Sequence, residues 1–454
     1  MDHLVKRVVS PNVFDAAVRT LFHMFLLPLT THGHYPRDEC VSDLGAQIWF
    51  NLLDSPANVQ TDMEHKTDRT FLEQIQVKFL DAAFRKAQYP SNLEAFFCDW
   101  TFEEREQWYK FRAELGDTFL LAYTQKQTEL WFSQLPRRLV DWVSQNDAES
   151  LWPELESVLF VLVSISEQLS EEVSRKNSAS CHFLFDTLDG VIGLMDHLTT
   201  VMWSPATGAA SMEALACPFV FCNAILIFIE HFVPMLCAVQ SASSKESIPL
   251  WLNHMFSFTV DWLAKSVSAN TCREVRTMMS VSANKALQVF VHEFPQIVNY
   301  ADKLLSVLTS VICGTSLLST TLETYTWQTV GMLVPYCPTG LFCQLMDFEL
   351  DRLASHFKTR KTFFSHFLPD VSESGRCSTE VMDTDMQRPL RPFLEFFRGL
   401  SKSLNTLKQC DTDSMGNATQ ARDYALHILS SLTIGLSFTT DQSSRRPDRE
   451  FINQ

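Results

Sequence analysis

Thirteen carboxylates lie between Arg138 and Lys245, and the only cations inside that interval are Arg175 and Lys176. The interval therefore carries −11 of the chain's formal −16. A field of that sign repels nucleic acid and anionic lipid and attracts basic proteins, or it serves only to keep an apolar assembly in solution. Both uses stay open at this level. Glu154, Glu156, Glu167, Glu171 and Glu172 are the candidate binding residues for a basic partner. They flank Leu155, Val158, Leu162, Ile165 and Leu169, whose steps of three and four mark one face of a helix. Packing that stripe into a core would leave the acids at its margins.

Other chemistry is not signalled. There is no glycine-rich phosphate loop, no G-x-S-x-G, no H-E-x-x-H and no carboxylate–histidine pairing. Cys181 and His182 are adjacent and so point in different directions on a helix. His32, His34 and Cys40 read as loop residues rather than a metal cluster. Cys217/Cys222 and Cys337/Cys343, the closest couples among twelve cysteines, lack zinc-site spacing. Free thiols, buried in a reducing compartment, are the expected state. No enzyme, cofactor or metal is expected.

The elements that must position these residues are helices. The chain has 454 residues, with 13 glycines, 35 phenylalanines and 20% charged residues. That is too long for one compact core and too poor in glycine for a loop-rich one. The fold class expected is all-α, an α-solenoid superhelix of about fifteen HEAT-like helices in antiparallel pairs. Periodicity places them near 12–27, 39–54, 64–88, 102–124, 127–145, 153–170, 180–203, 211–230, 249–268, 271–292, 296–313, 321–335, 339–357, 389–409 and 418–437. Residues 1–368 read as one solenoid and 369–387 as an acidic, disordered insertion. A further helix pair follows over 388–440, with a tail over 441–454. Leu215–Val239 is long enough to span a bilayer. Glu230, His231 and Pro234 inside it favour a buried helix instead. Arg352, Lys358, Arg360 and Lys361, then Arg388, Arg391, Arg398 and Lys402, form a smaller basic region without stacking aromatics, so nucleic-acid binding is not expected.

Phe71–Tyr123 is the most distinctive stretch. A first helix carries Leu72, Ile75, Phe79 and Ala82 on one face and stops at Tyr89-Pro90. A second carries Trp108, Phe111, Leu115, Phe119 and Ala122, with Thr101 as N-cap and Glu103, Glu104 and Glu106 near its start. Between them runs an aromatic insert. The "KAQYP" turn at Lys86–Pro90 and the acidic helix after it resemble one branch of the importin-β (karyopherin) family of nuclear transport receptors. Leu44–Asp54 (LGAQIWFNLLD) and Leu151–Leu169 (LWPELESVLFVLVSISEQL) are similar to further helices of that family. Thr326–Leu353 resembles a later pair more loosely.

The resemblance implies a segment of a transport receptor that shuttles between nucleus and cytoplasm. Its partners would be basic protein cargo and nuclear pore proteins, with the five glutamates as cargo-binding candidates. Nothing in residues 1–40 resembles the amino-terminal repeats gripped by Ran-GTP in that family. Ran-GTP binding is therefore implied for a full-length receptor rather than for these residues, which look like the receptor's middle. The alternative is a generic α-solenoid scaffold or adaptor.

Overall fold

The computed structural model describes residues 16–54, 66–125, 128–144, 148–201, 212–241, 250–268, 273–293, 300–314, 320–336, 391, 394–403, 419 and 423. Among them every regular element is helical. In chain order these are α1 (Ala16–Thr30), α2 (Ser42–Leu53), α3 (Lys66–Ala87), α4 (Leu93–Cys98), α5 (Phe102–Tyr123), α6 (Glu129–Ser133), α7 (Leu135–Ser144) and α8 (Ala148–Ser164). They continue as α9 (Ser166–Ser174), α10 (Ser178–Val201), α11 (Met212–Ser241), α12 (Leu250–Ser268), α13 (Arg273–Glu293), α14 (Ala301–Gly314) and α15 (Thr320–Leu333). The chain divides into two compact units, Met1–Ala286 and Leu287–Gln454.

In the first unit the helices form two layers. α2, α5, α8 and α11 pack one on the next; α1 packs on α3, α7 on α10, and α10 on α12. Rungs between the layers are the pairs α1/α2, α3/α5, α7/α8 and α10/α11. Each pair buries its stripes mainly against its neighbours, which is how a solenoid is held together. The stripe Leu155, Val158, Leu162, Ile165 and Leu169 is buried throughout. It is divided between α8 and α9, because the chain breaks at Ile165 (φ −91°, ψ 0°). Ser164 Oγ donates back to the Phe160 carbonyl at 2.9 Å just before that break, a bond that bends helices.

Two other boundaries differ from the sequence reading. The helix expected over 127–145 is two, α6 and α7, divided at Gln134. The helix expected to stop at Glu230 runs on to Ser241. Its second half buries Phe232, Val233, Met235 and Leu236. Glu230 reaches Lys285 at 3.8 Å and His231 Nδ1 lies 3.3 Å from Ser166 Oγ. Phe219–Val239 has the length and apolarity to cross a membrane, yet 78% of its apolar window is buried inside the fold. It is a core helix.

In the second unit, α15 meets the helical residues 394–403 at glycines. A β-carbon on Gly331 would collide with the Phe396 carbonyl oxygen, and one on Gly399 with that of Gln328. Gln328 Nε2 donates to Glu395 Oε2 at 2.6 Å across this contact. Arg398, from the basic region, bonds Glu395 at 3.0 Å, and Lys402 Nζ lies 3.4 Å from Gln328 Oε1. Residues 369–387, the expected helix 339–357, and Arg352, Lys358, Arg360, Lys361 and Arg388 lie outside the described residues, as does nearly all of 418–437.

Candidate binding surface

The acids are positioned by the contact of α5 with α8, and that contact begins in the turn after α3. Lys86 is buried and donates from Nζ to Glu39 Oε1 at 2.9 Å and to the Gly33 carbonyl at 3.0 Å. It thereby fastens the loop 31–41 to the helix pair. Burial would raise the Glu39 carboxyl. Hydrogen bonds from Ser42, Lys86 and Val41 together outweigh that and hold it below the usual carboxylate range. His34, in the same loop, is pushed down by burial against the opposing pull of Asp38.

Tyr89 then turns into the core. With Leu93, Phe96, Trp100, Trp108, Trp152 and Val220 it forms one apolar cluster joining α4, α5, α8 and α11. The aromatic insert is the short helix α4, which Asn92 caps by accepting from Ala95 N at 2.8 Å. Periodicity cannot reveal a helix of six residues. α5 starts with a capping box: Thr101 Oγ1 accepts from Glu104 N, and Glu104 Oε2 accepts from Thr101 N at 2.7 Å.

Arg112 crosses from α5 to α8. Its guanidinium lies 4.7 Å from the Tyr89 ring centroid, 5.2 Å from Trp108 and 4.2 Å from Phe160, and it donates to Glu156 Oε2 at 2.5 Å. Burial pushes the Glu156 carboxyl up, with Arg112 pulling the other way.

The five candidate glutamates therefore part company. Glu156 is 5% exposed and committed to Arg112; its carboxylate does not face a partner. Glu172 is half-buried and accepts from Tyr123 at 3.0 Å and from Ser180 at 2.6 Å, tying α9 to α5 and α10. The Glu154 side chain is 43% exposed, the residue as a whole half-buried, and it lies 3.5 Å from Arg138 of α7. Glu171 pairs with Arg175 one turn on, at 3.0 Å in the open, and Glu167 is exposed on the first turn of α9. Three of the five present charge to solvent. Asp186, Asp189 and Asp196 add exposed carboxylates along α10, whereas the side chains of Asp147, Glu149 and Glu213 lie outside the described residues.

The cysteines also divide. Of the described cysteines, Cys40 and Cys98 are exposed, Cys181 and Cys237 intermediate and Cys222 buried. Burial does not account for these five together.

Comparison with known proteins finds importin-13 from several vertebrates. Importin-13 of Homo sapiens is 27% identical over 238 residues, covering 50% of this chain. That of Gallus gallus is 25% identical over 236 residues, and that of Pongo abelii 25% over 264. The chain resembles importin-13. It spans about a quarter of these relatives' length, 23% of the human and chicken proteins and 26% of the orangutan one. Among solved structures, importin-13 in its cytosolic state superposes with a TM-score of 0.53 at 13% identity, over 94% of this chain and 45% of that one. That likeness shows the α-solenoid fold. No family model matches.

Proposed function

We propose that this chain is a segment of a nuclear transport receptor of the importin-13 kind, and that it carries basic protein cargo on Glu154, whose side chain reaches solvent, and the exposed acids Glu167 and Glu171. One observation supports the reading above a generic scaffold. The three separate blocks that resemble the family, Leu44–Asp54, Phe71–Tyr123 and Leu151–Leu169, pack on one another as α2, α3, α5 and α8. The resemblance thus follows a spatial unit rather than a run of similar composition.

Passage through the pore, with nuclear pore proteins as transient partners, and cargo release by Ran-GTP would belong to the whole receptor, shuttling between nucleus and cytoplasm. The test is a chimera in which this chain replaces the matching segment of human importin-13. In permeabilised cells supplied with Ran and GTP, it should carry a fluorescent protein bearing a lysine-rich tail into nuclei. A chimera that folds and enters nuclei but leaves the basic probe outside would overturn the cargo reading. One that folds but is excluded from nuclei, while the parent enters, would favour the scaffold.

A further inference from the structure

The turn between α9 and α10 holds the only two cations between Arg138 and Lys245, and neither serves the packing of the helices. The Arg175 side chain is 72% exposed and pairs with Glu171, one turn back on its own helix. Residues 174–179 are exposed without interruption. α9 closes through Lys176 N, which donates to the Val173 carbonyl at 2.8 Å, and Asn177 N, which donates to the Glu172 carbonyl at 3.1 Å. That closure puts Lys176 in the left-handed region, at φ 60°, where helix ends ordinarily carry glycine or asparagine. A lysine costs stability there. The backbone does not account for this residue type.

Its charge has a reader of known chemistry. Arginine-directed serine kinases select substrates by charge, receiving cations two and three places before the acceptor hydroxyl in acidic pockets of their own. Arg175 and Lys176 stand at those places before Ser178, and no other adjacent pair of cations among the described residues precedes a serine in this way. The run RKNSAS contains two serines, and the fold separates them. Ser180 is 5% exposed and donates to Glu172 Oε2 at 2.6 Å. Ser174, just upstream, donates to the Ser170 carbonyl at 2.8 Å. Ser178 is exposed, and its hydroxyl has no partner among the described residues. Besides the closure of α9, the segment is held by Asn177, whose Oδ1 accepts from Ala179 N at 3.1 Å and whose carbonyl accepts from Cys181 N at 3.0 Å. Such bonds at exposed helix ends open most readily, as a kinase that binds its substrate extended requires.

We propose that Ser178 is a phosphorylation site for an arginine-directed serine kinase, with Arg175 and Lys176 as its recognition residues. The kinase uses ATP as phosphoryl donor. A bond forms between Ser178 Oγ and the γ-phosphorus as the bond from that phosphorus to the bridging oxygen of ADP breaks, and the hydroxyl proton passes to a base of the kinase. A phosphoserine carries about −1.5 to −2 charge at pH 7. It cancels the two cations and takes the interval from −11 to about −13. An acidic field with one positive spot becomes a continuous one. Presentation of the turn to a kinase is independent of what cargo the chain carries.

The test is to incubate the folded chain with the catalytic subunit of cyclic-AMP-dependent kinase and magnesium–ATP, reading each site by peptide mass spectrometry. Ser178 should be phosphorylated well below the melting temperature, with Ser174 and Ser180 unmodified. Arg175→Ala should slow labelling of Ser178 by roughly tenfold or more at an unchanged melting temperature, because the ion pair it breaks is exposed. Lys176→Gly should slow labelling severalfold while raising the melting temperature, since glycine relieves the left-handed backbone. That separation of rate from stability would mark the lysine as a recognition residue. A free peptide of residues 171–185 supplies the comparison. If the peptide is phosphorylated at Ser178 and the folded chain is not, the fold withholds the site and the proposal is overturned. Phosphate on Ser180 in place of Ser178, labelling that begins only near the melting temperature, or equal rates for Arg175→Ala and the parent would overturn it as well. So would failure of the chain and the peptide alike.

Discussion

Arg112 and Glu156 meet 2.5 Å apart with side chains 8% and 6% exposed; Arg175 and Glu171 meet 3.0 Å apart with side chains 72% and 55% exposed. The chemistry is the same and the consequences are opposite. In the first pair both charges have been taken out of water, and each is tolerated only because the other is present, with three aromatic rings around the guanidinium. In the second pair water screens the attraction and either partner can be removed at little cost. The first pair lies in the α5–α8 contact that carries the family resemblance, and the second on the surface that carries the functional expectation. What is easiest to recognise in this chain is therefore what holds it together.

The buried side of the comparison should break hardest. Arg112→Ala leaves the Glu156 carboxylate buried without its partner, and the expected loss is about 3–5 kcal/mol in chemical denaturation. Replacing the pair together, by Arg112→Met with Glu156→Leu, removes both desolvation penalties and should recover most of that loss. A double variant no more stable than Arg112→Ala would show that the aromatic contacts, not the ion pair, dominate this site.

Glu172 lies between the two classes. Its neighbour Glu171 is exposed, yet Glu172 accepts two hydroxyl hydrogen bonds from other helices. Glu172→Lys is expected to cost about 1–3 kcal/mol, since hydrogen bonds to charged groups contribute on that scale. Glu171→Lys should cost almost nothing. Equal melting temperatures for the two variants would erase the distinction.

Acid tests the same contrast without mutation. Burial lowers His34 and His231 from their ordinary 6.5. A histidine held low when folded binds its proton more readily when unfolded, so its stabilisation is present above pH 6.5 and lost as pH falls below it. Glu39, also held low, loses its contribution in the carboxylate range. Glu156 runs the other way, since a carboxyl raised by burial favours the folded state as pH falls. The chain should lose stability between pH 7 and pH 5, in step with the two histidines. His231→Gln should flatten that slope, measured by thermal melts across the range. An unchanged slope in that variant would exclude His231 as a cause.

The legible part of this fold was periodic and the illegible part local. Long stripes such as Trp108–Phe111–Leu115–Phe119 define their helices unaided, because a 3.6-residue period needs only enough turns to show itself. α4 has too few turns. The extension of α11 past Glu230 was half legible: periodicity ended the helix at 230, while the apolar run to Val239 read as one buried helix with Glu230, His231 and Pro234 inside it, and Lys285 and Ser166 supply partners that only the packed neighbours can offer. The five glutamates were equivalent in one dimension. Glu156 is buried because it occupies the α8 position facing Arg112, 44 residues earlier in the chain.

The smallest expected effect on stability belongs to the residues with the largest expected effect on encounter. Glu167→Lys with Glu171→Lys reverses two exposed charges that hold no helix to another, so folding should change by less than about half a kcal/mol. Arg175 would lose its partner, but an exposed pair of this kind contributes little. Long-range attraction is another matter. Exposed charges act over about 8 Å at physiological ionic strength and further in dilute salt, and they govern how often a basic protein arrives more than how long it stays. The double variant should therefore slow association with a lysine-rich probe in stopped flow at low salt, leave dissociation nearly constant, and converge on the parent as salt rises. Leaving Glu172 in place keeps the measurement clear of the folding loss that its own reversal would introduce. If the association rates of variant and parent coincide at every salt concentration, the charge on α9 serves solubility, and Glu154 beside the α6–α7 corner becomes the acid left to test.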